Sequence, residues 1–441
     1  MRRAPTTVIV AALLSAGMAG YFFGLWIPAS RRAMEHAGLA GGYGYGNDFY
    51  QVWRTSRELL ARRADAYSGE MQHQIEVGLY GRPLDRRLAA DAATVFRGDC
   101  YPLHASVLAL PLAPLPFRAV QLVLTALLPA AVIVTVLLWC SALGFDGSSR
   151  GLFTVVLLAL SAIPVLEGLY ALQVSLVVAL LIAAGIFMIQ WARLFLSGAL
   201  LAAASIKPQL ILLLVAWLMA WTLARWNERR SLLFGFAGTA FALLGATTLA
   251  SPNWFSGWMH SVHEYRRICP PPLAEFVLGR EIGIAVSVLL VAVAGLVGAR
   301  NRKAEPDSEA FLLTSILAIA ITVVVLPSTV AVYDQFLLFP AVVWLYTRRI
   351  ALRGRLPVRA LAGVTAAALA WPWFGAGGLL VVAAIAPAFG HRPDVLLLPL
   401  RTAASVPFGL VALISLAAMT QAGHQLGEPD QGAGASGSEA R

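Results

Sequence analysis

Charge is what this chain has least of. Asp, Glu, Lys and Arg make up only 13% of its 441 residues, about half the share of an ordinary soluble protein. Hydrophobic residues make up 59%, so a water-soluble globule is excluded. Cysteine is nearly absent. Three residues give neither a metal-ligand spacing nor a disulfide framework. Cys100 and Cys269 are the two that could share a face, and free thiols are their expected state. The alternating pattern of barrel strands is missing, and backbone groups in lipid must pair internally, so any spans are helices. No Ser/His/Asp order, HExxH, CxxC, phosphate-binding P-loop or dinucleotide fingerprint occurs. No metal site and no cofactor is expected from these residues, which leave a divalent-metal requirement open.

What the chain does have is apolar runs close to bilayer length, one after another. The first covers roughly 6–29. Others lie near 119–143, 151–169, 173–190, 194–206, 208–224, 231–250, 281–299, 311–326, 335–347, 360–390 and 402–420. The expected fold is an all-α polytopic membrane protein with about 11–13 transmembrane helices, forming one integral membrane domain over 1–422. The stretch 360–390 holds Trp371-Pro372-Trp373 and reads as one broken helix or two short ones. Leu103–Pro116 is short and proline-rich, so it reads as re-entrant or interfacial. Met1-Arg2-Arg3 and the apolar run behind it read as an uncleaved first span rather than a signal peptide, because the run continues to Pro28. The Gly-, Ser- and acid-rich tail 423–441 reads as disordered.

The net charge of +10 points to basic cytoplasmic loops rather than to nucleic acid. Arg225/Arg229/Arg230, Arg300/Arg302/Lys303 and the arginines of 348–359 mark three such loops. Span counting from them places a first long segment, 30–101, and a second, 251–280, on the outer face. The same count brings 170–173, Lys207 and 327–334 to that face. The expected location is therefore the cytoplasmic membrane, with membrane lipids as surroundings and the unusual polar residues facing outside.

Those residues are few. Asp48 opens a stretch in which Phe49, Val52, Trp53, Leu59 and Leu60 recur at helical spacing among Arg54, Arg57, Arg62 and Arg63. This reads as an interfacial helix with Asp48 in its first turn, where the helix dipole favours the ionised form and partial burial near lipid favours the neutral one. A capping role alone would also place an Asp there. Tyr101-Pro102 is an anchor and helix breaker. Gln173 starts a span and is either interhelical glue or a ligand. Lys207 lies at membrane depth, where a cation is a site candidate or snorkels to headgroups. His263, Arg266 and Arg267, beside His260 and Glu264, form a cluster able to grip phosphate or to serve as a solvated loop. Tyr333-Asp334 puts an acid where a span enters the bilayer. Isolated carboxylates, one lysine and a basic aromatic loop on one face suit a lipid-phosphate substrate, with a carboxylate taking a proton from an acceptor hydroxyl.

In order along the chain stand Asp48-Phe49-Tyr50, Asp65-Ala66-Tyr67, Tyr101-Pro102, Leu172-Gln173, Ile206-Lys207-Pro208 and Tyr333-Asp334 before Leu337-Leu338-Phe339-Pro340. This series, spanning about 45–345, resembles glycosyltransferase family 87, the polyprenyl-phosphate-mannose-type mannosyltransferases of GT-C architecture. The resemblance implies an enzyme that moves a sugar, usually mannose, from a polyprenyl phosphate to a lipid or glycan acceptor. The reaction would take place on the outer side of the cytoplasmic membrane. It implies Asp48 as the base and matches Lys207 to the Lys-Pro position. Tyr333-Asp334 stands at a late motif where relatives often carry His, so its role does not carry over. Leu103 replaces the second proline of the usual Tyr-Pro-Pro. Asp334 is the rival catalytic acid, and Tyr101, Gln173, Lys207, His263, Arg266, Arg267 and Tyr333 are substrate-binding candidates. Two other readings stay open. One is a transporter or flippase of a polyprenyl-linked glycan, although no paired repeat is evident. The other is a noncatalytic subunit of an envelope assembly complex.

Overall fold

The computed structural model describes residues 4–61, 65–85, 87–88, 91, 100–145, 147–327, 331–348, 356–386, 392–399 and 406–424. Among these the regular elements are helical. Arg62, Arg63, most of the charged stretch 82–97, the arginine-rich 349–355 and the tail from 425 lie outside the described residues.

Among the described residues five helices are long and apolar enough to cross a bilayer: Thr6–His36, Phe117–Ala142, Trp226–Ala250, Arg280–Asn301 and Leu356–Ile385. Ser149–Ser161 and Ile163–Ala171 form a sixth candidate, bent by 58°. The bend falls at Ala162, which is extended, just before Pro164 removes a backbone donor from the ladder. Five further apolar helices run Ser175–Gln190, Leu194–Ile206, Pro208–Ala224, Glu309–Val325 and Val406–Thr420. A helix of about 17 residues is roughly 25 Å long, short of the roughly 30 Å hydrocarbon layer. Counted with the six longer candidates as further crossings, these five bring the described residues to eleven, the low end of the 11–13 expected. Leu194–Ile206 and Pro208–Ala224 keep exposed apolar side chains such as Phe195 and Leu212, whereas Glu309–Val325 is enclosed by its neighbours. Ala310–Val325 is buried residue by residue.

The first helix is longer than its apolar run and holds a π-turn at Phe22–Trp26. Pro28 follows at the second position of Ile27–His36, and the widened turn absorbs its missing N–H. Leu356–Ile385 is continuous despite Pro372, so neither a break nor a pair of helices forms there. Leu103–Pro116 folds as the short helix His104–Leu108 and a 3-10 turn at Leu110–Leu112, too short to cross.

The segment after the first span differs from the expected interfacial helix. Asn47–Ala61 is buried on most of its circumference, because Gly69–Tyr80 packs against it. Arg54 turns inward to Glu58 (2.8 Å) and Gln74 (2.8 Å). Arg57 stays exposed, over the Trp53 ring at 5.5 Å, and Leu60 of the expected apolar stripe is 56% exposed. Phe117, at the start of its span, receives Tyr43, Tyr50 and Trp53 at centroid distances of 4.9, 5.0 and 5.1 Å. Such contacts are worth about 0.5–1.5 kcal/mol each beyond area burial, and they fix the Asp48 helix to the bundle.

The opposite end is sealed by an arginine. Arg229 is buried at 3% exposure and stacks on Trp221 at 3.8 Å. Its guanidinium donates to the carbonyls of Trp221, Arg302 and Ala304. These close the C-terminal ends of Pro208–Ala224 and Arg280–Asn301, where helix carbonyls lack partners.

Candidate active site

The residues that break the helices near Asp48 do so for local reasons and meet at one end of the bundle. Gly46 has φ +75°, and its N–H donates to the Tyr170 carbonyl at 2.9 Å. Asp48 follows in the first turn of Asn47–Ala61. Leu172 ends Ile163–Ala171 in the left-handed conformation, φ 51° and ψ 50°, and turns Gln173 inward. Lys207 precedes Pro208, which disfavours the helical region for it. It stands outside helical geometry at φ −129° and ψ 79°, between Ala204–Ile206 and Pro208–Ala224. Tyr333 and Asp334 lie on the 3-10 turn Val332–Leu338.

These side chains form two connected groups. In the first, the Tyr101 hydroxyl donates to Gln173 Oε1 at 2.7 Å, and Gln173 Nε2 donates to Asp48 Oδ2 at 2.5 Å. In the second, Lys207 Nζ donates to Ser175 Oγ at 2.7 Å and to Asp334 Oδ1 at 3.2 Å. Ser175 Oγ in turn donates to Asp334 Oδ1 at 2.5 Å. The ammonium also lies 4.7 Å from the Tyr333 ring centroid and 5.9 Å from that of Tyr101, within cation–π range.

A cavity of about 720 Å³ opens over both groups. Asp48, Tyr101, Lys207, Tyr333 and Asp334 line its depth. The helix Trp254–Ile268 forms another wall through Trp258, Val262, Tyr265 and Arg266, and Pro270-Pro271-Pro272 continues it. Trp258 fastens this wall to the segment that joins the first two long helices, and Tyr67 ties that segment together. Trp258 Nε1 donates to the Cys100 carbonyl at 3.1 Å, and the Tyr67 hydroxyl donates to the Tyr101 carbonyl at 2.7 Å. Cys100 and Cys269 both line the cavity as thiols.

Burial decides the charge state of Asp48. The residue is 3% exposed, and loss of water pushes its carboxyl up to about 6. Lys207, the Tyr333 hydroxyl and Gln173 pull it down, while Asp334 adds to the rise. The helix-dipole argument alone points the other way, and desolvation outweighs it. A carboxyl tuned there is ionised at neutral pH yet basic enough to accept a proton.

Six of the candidates named from the sequence therefore converge: Asp48, Tyr101, Gln173, Lys207, Tyr333 and Asp334. Of the two readings of Gln173, its position fits interhelical glue. It is fully buried and stands behind Asp48, off the cavity wall. Arg266 reaches the wall, whereas exposed His263 and Arg267 do not line it, and Arg267 pairs with Glu264 at 2.9 Å. Trp258, Val262, Tyr265 and Arg266 recur at i, i+4, i+7 and i+8, which is one helical face. His263 and Arg267 lie off it. Asp65 serves a turn, accepting from the Tyr67 N–H at 3.2 Å. Ser175 has no sequence signal, since serine at a helix start is ordinary. Among the described residues no three His, Cys, Asp or Glu side chains gather as a metal set.

No curated protein and no solved structure is significantly similar to this chain. A family model, that of glycosyltransferase family 87, matches residues 100–328, more than half of the sequence. The match takes in Tyr101, Gln173 and Lys207. Asp48 and Asp334 fall outside its limits but are hydrogen-bonded to these same residues. On that match the chain belongs to glycosyltransferase family 87, and it is a glycosyltransferase with membrane-spanning helices.

Proposed function

We propose that the protein transfers a sugar, mannose by resemblance, from a polyprenyl phosphate to a hydroxyl of a lipid or glycan acceptor. The observation that carries this reading is the pair of opposite charges on one cavity. Asp48 is a carboxylate of raised basicity, and Lys207 is an ammonium fixed at 6% exposure. The acceptor oxygen attacks the anomeric carbon as the bond from that carbon to the phosphate oxygen breaks. Asp48 takes the hydroxyl proton, an effect worth about 100- to 10,000-fold. Negative charge develops on the departing phosphate, and a preorganised cation in a water-poor site stabilises it. Lys207 supplies that cation at depth, and Arg266 supplies a second at the wall.

The basic residues support an outward-facing site in the cytoplasmic membrane. Pro208–Ala224 begins beside Lys207 and ends at Arg225, near Arg229 and Arg230. Positive residues mark the cytoplasmic end of a span, so the cavity at its other end faces outside. The GT-C architecture of the resemblance fits the same arrangement. Incubating purified protein with labelled polyprenyl-phosphate mannose and candidate lipid acceptors tests the reading. Label appearing in an acceptor lipid supports it. Transfer from no polyprenyl-phosphate sugar, by protein that remains folded, rejects it.

A further inference from the structure

The charged groups at the cavity's depth come from three distant parts of the chain, and one turn holds all of them. Asp48 hangs on Gln173 at 2.5 Å. Lys207 and Asp334 hang on Ser175 at 2.7 and 2.5 Å, both nearer to this hydroxyl than to each other at 3.2 Å. Gln173 and Ser175 are 0% and 2% exposed, and neither lines the cavity. They are therefore out of reach of a substrate. Their hydrogen bonds have one consistent assignment. The single Ser175 proton goes to Asp334, and its lone pair accepts from the ammonium. The Gln173 amide is oriented by a hydroxyl donor on one side and a carboxylate acceptor on the other.

The turn is also locked to the backbone that delivers Asp48. The Gln173 N–H donates to the Gly168 carbonyl at 2.8 Å, which closes the turn behind left-handed Leu172. Two residues before Asp48, Gly46 lies so close that a Cβ there would meet Leu172 Cδ1 at 2.6 Å. The approach to Asp48 and the approach to Gln173 are thus in one register.

We propose that Gln173 and Ser175 are positioning residues, and that the 172–175 turn fixes the carboxylate and the ammonium of the site relative to one another. This rests on the roles given above to Asp48 and Lys207. It gives Ser175, two residues from Gln173, a part in the reaction without contact with substrate.

The test uses the full-length protein with polyprenyl-phosphate mannose. Ser175→Ala keeps the direct Lys207–Asp334 contact but removes the hydroxyl bridge that aims the ammonium. Turnover is expected to fall roughly 10- to 100-fold, the size a hydrogen bond to a charged group commands, with KM for the donor within a few-fold. Ser175→Thr restores the hydroxyl and is expected to restore most of the rate. Gln173→Glu sets a second carboxyl against Asp48. The acid limb of the pH–rate profile is expected to move upward by about one pH unit or more. The Asp48 carboxylate band, isolated by infrared difference against Asp48→Asn, is expected to titrate upward with it. Wild-type turnover in Ser175→Ala together with an unmoved Asp48 titration in Gln173→Glu overturns the proposal. If wild-type protein transfers nothing from this donor while the infrared titration shifts, the donor assignment fails and the placement of Asp48 by Gln173 is supported.

Discussion

Lys207 and Asp334 form a buried ion pair across 127 residues of sequence, Nζ to Oδ1 at 3.2 Å, with side chains 7% and 2% exposed. The pair changes the roles open to both residues. With Oδ1 engaged by the ammonium and by the Ser175 hydroxyl, Asp334 is placed as the counterion that holds Lys207 in position. Its second oxygen is buried without a hydrogen-bond partner among the described residues, so nothing else there compensates the carboxylate. Removing one member of such a pair costs about 3–5 kcal/mol, whereas replacing both by apolar groups costs far less. Lys207→Met and Asp334→Leu are each expected to lower thermal stability in detergent, and the double variant to recover part of the loss. Equal, additive losses would mean the two groups do not depend on each other.

The raised Asp48 carboxyl gives activity and stability opposite pH dependences. With Asp48 as the proposed base, transfer needs its ionised form, so the rate is expected to fall as pH drops through about 6. Stability runs the other way. A carboxyl whose native pKa lies above its unfolded value stabilises the fold fully below the unfolded value, near 4, and that contribution is lost as pH rises through about 6. Asp48→Asn is therefore expected to be more stable than wild type at pH 7.5 and no more stable at pH 4. Thermal melts at the two pH values measure this. A variant less stable than wild type at pH 7.5 would mean that burial of the charge is already compensated.

Arg229 is expected to be structural. It holds three carbonyls and an indole face far from the cavity. Arg229→Ala should lose on the order of 3 kcal/mol while the folded fraction keeps its turnover number. A turnover defect in fully folded protein would contradict the separation of the two ends.

Orientation is testable at exposed positions. A single cysteine at Arg230 is expected to label only from the cytoplasmic side, and one at His263 only from outside, because both side chains are solvent-exposed at opposite ends of the bundle. External labelling at 230 would reverse the proposed topology.

Much of this was legible in the sequence, for a physical reason. A polar residue at the end of an apolar run must find partners. Asp48, Tyr101, Gln173, Lys207, Tyr333 and Asp334 all stand at such ends, and span counting put them on one face. The charge scarcity that revealed the helices also made each exception visible. What the sequence could not show is pairing at long range. Nothing local says that Lys207 meets Asp334, or that Ser175 lies between them. Nor does periodicity reveal a second layer. The amphipathic pattern of Asn47–Ala61 suits a headgroup surface as well as it suits the roof that Gly69–Tyr80 provides. Both the helix dipole and the burial acting on Asp48 were visible, and only the packed structure shows that burial is the larger. In the basic cluster of Trp254–Ile268 the helical spacing was available. It separates Arg266, which faces the cavity, from His263 and Arg267, which do not.

The most direct test of the account is single-turnover transfer by Asp48→Asn with labelled polyprenyl-phosphate mannose. Asparagine keeps the size and can still accept from Gln173, but it takes no proton. The variant is expected to bind the donor with near wild-type affinity and to transfer sugar at least about 100-fold more slowly. Transfer at the wild-type rate by folded Asp48→Asn would contradict the central claim that this carboxylate is the base.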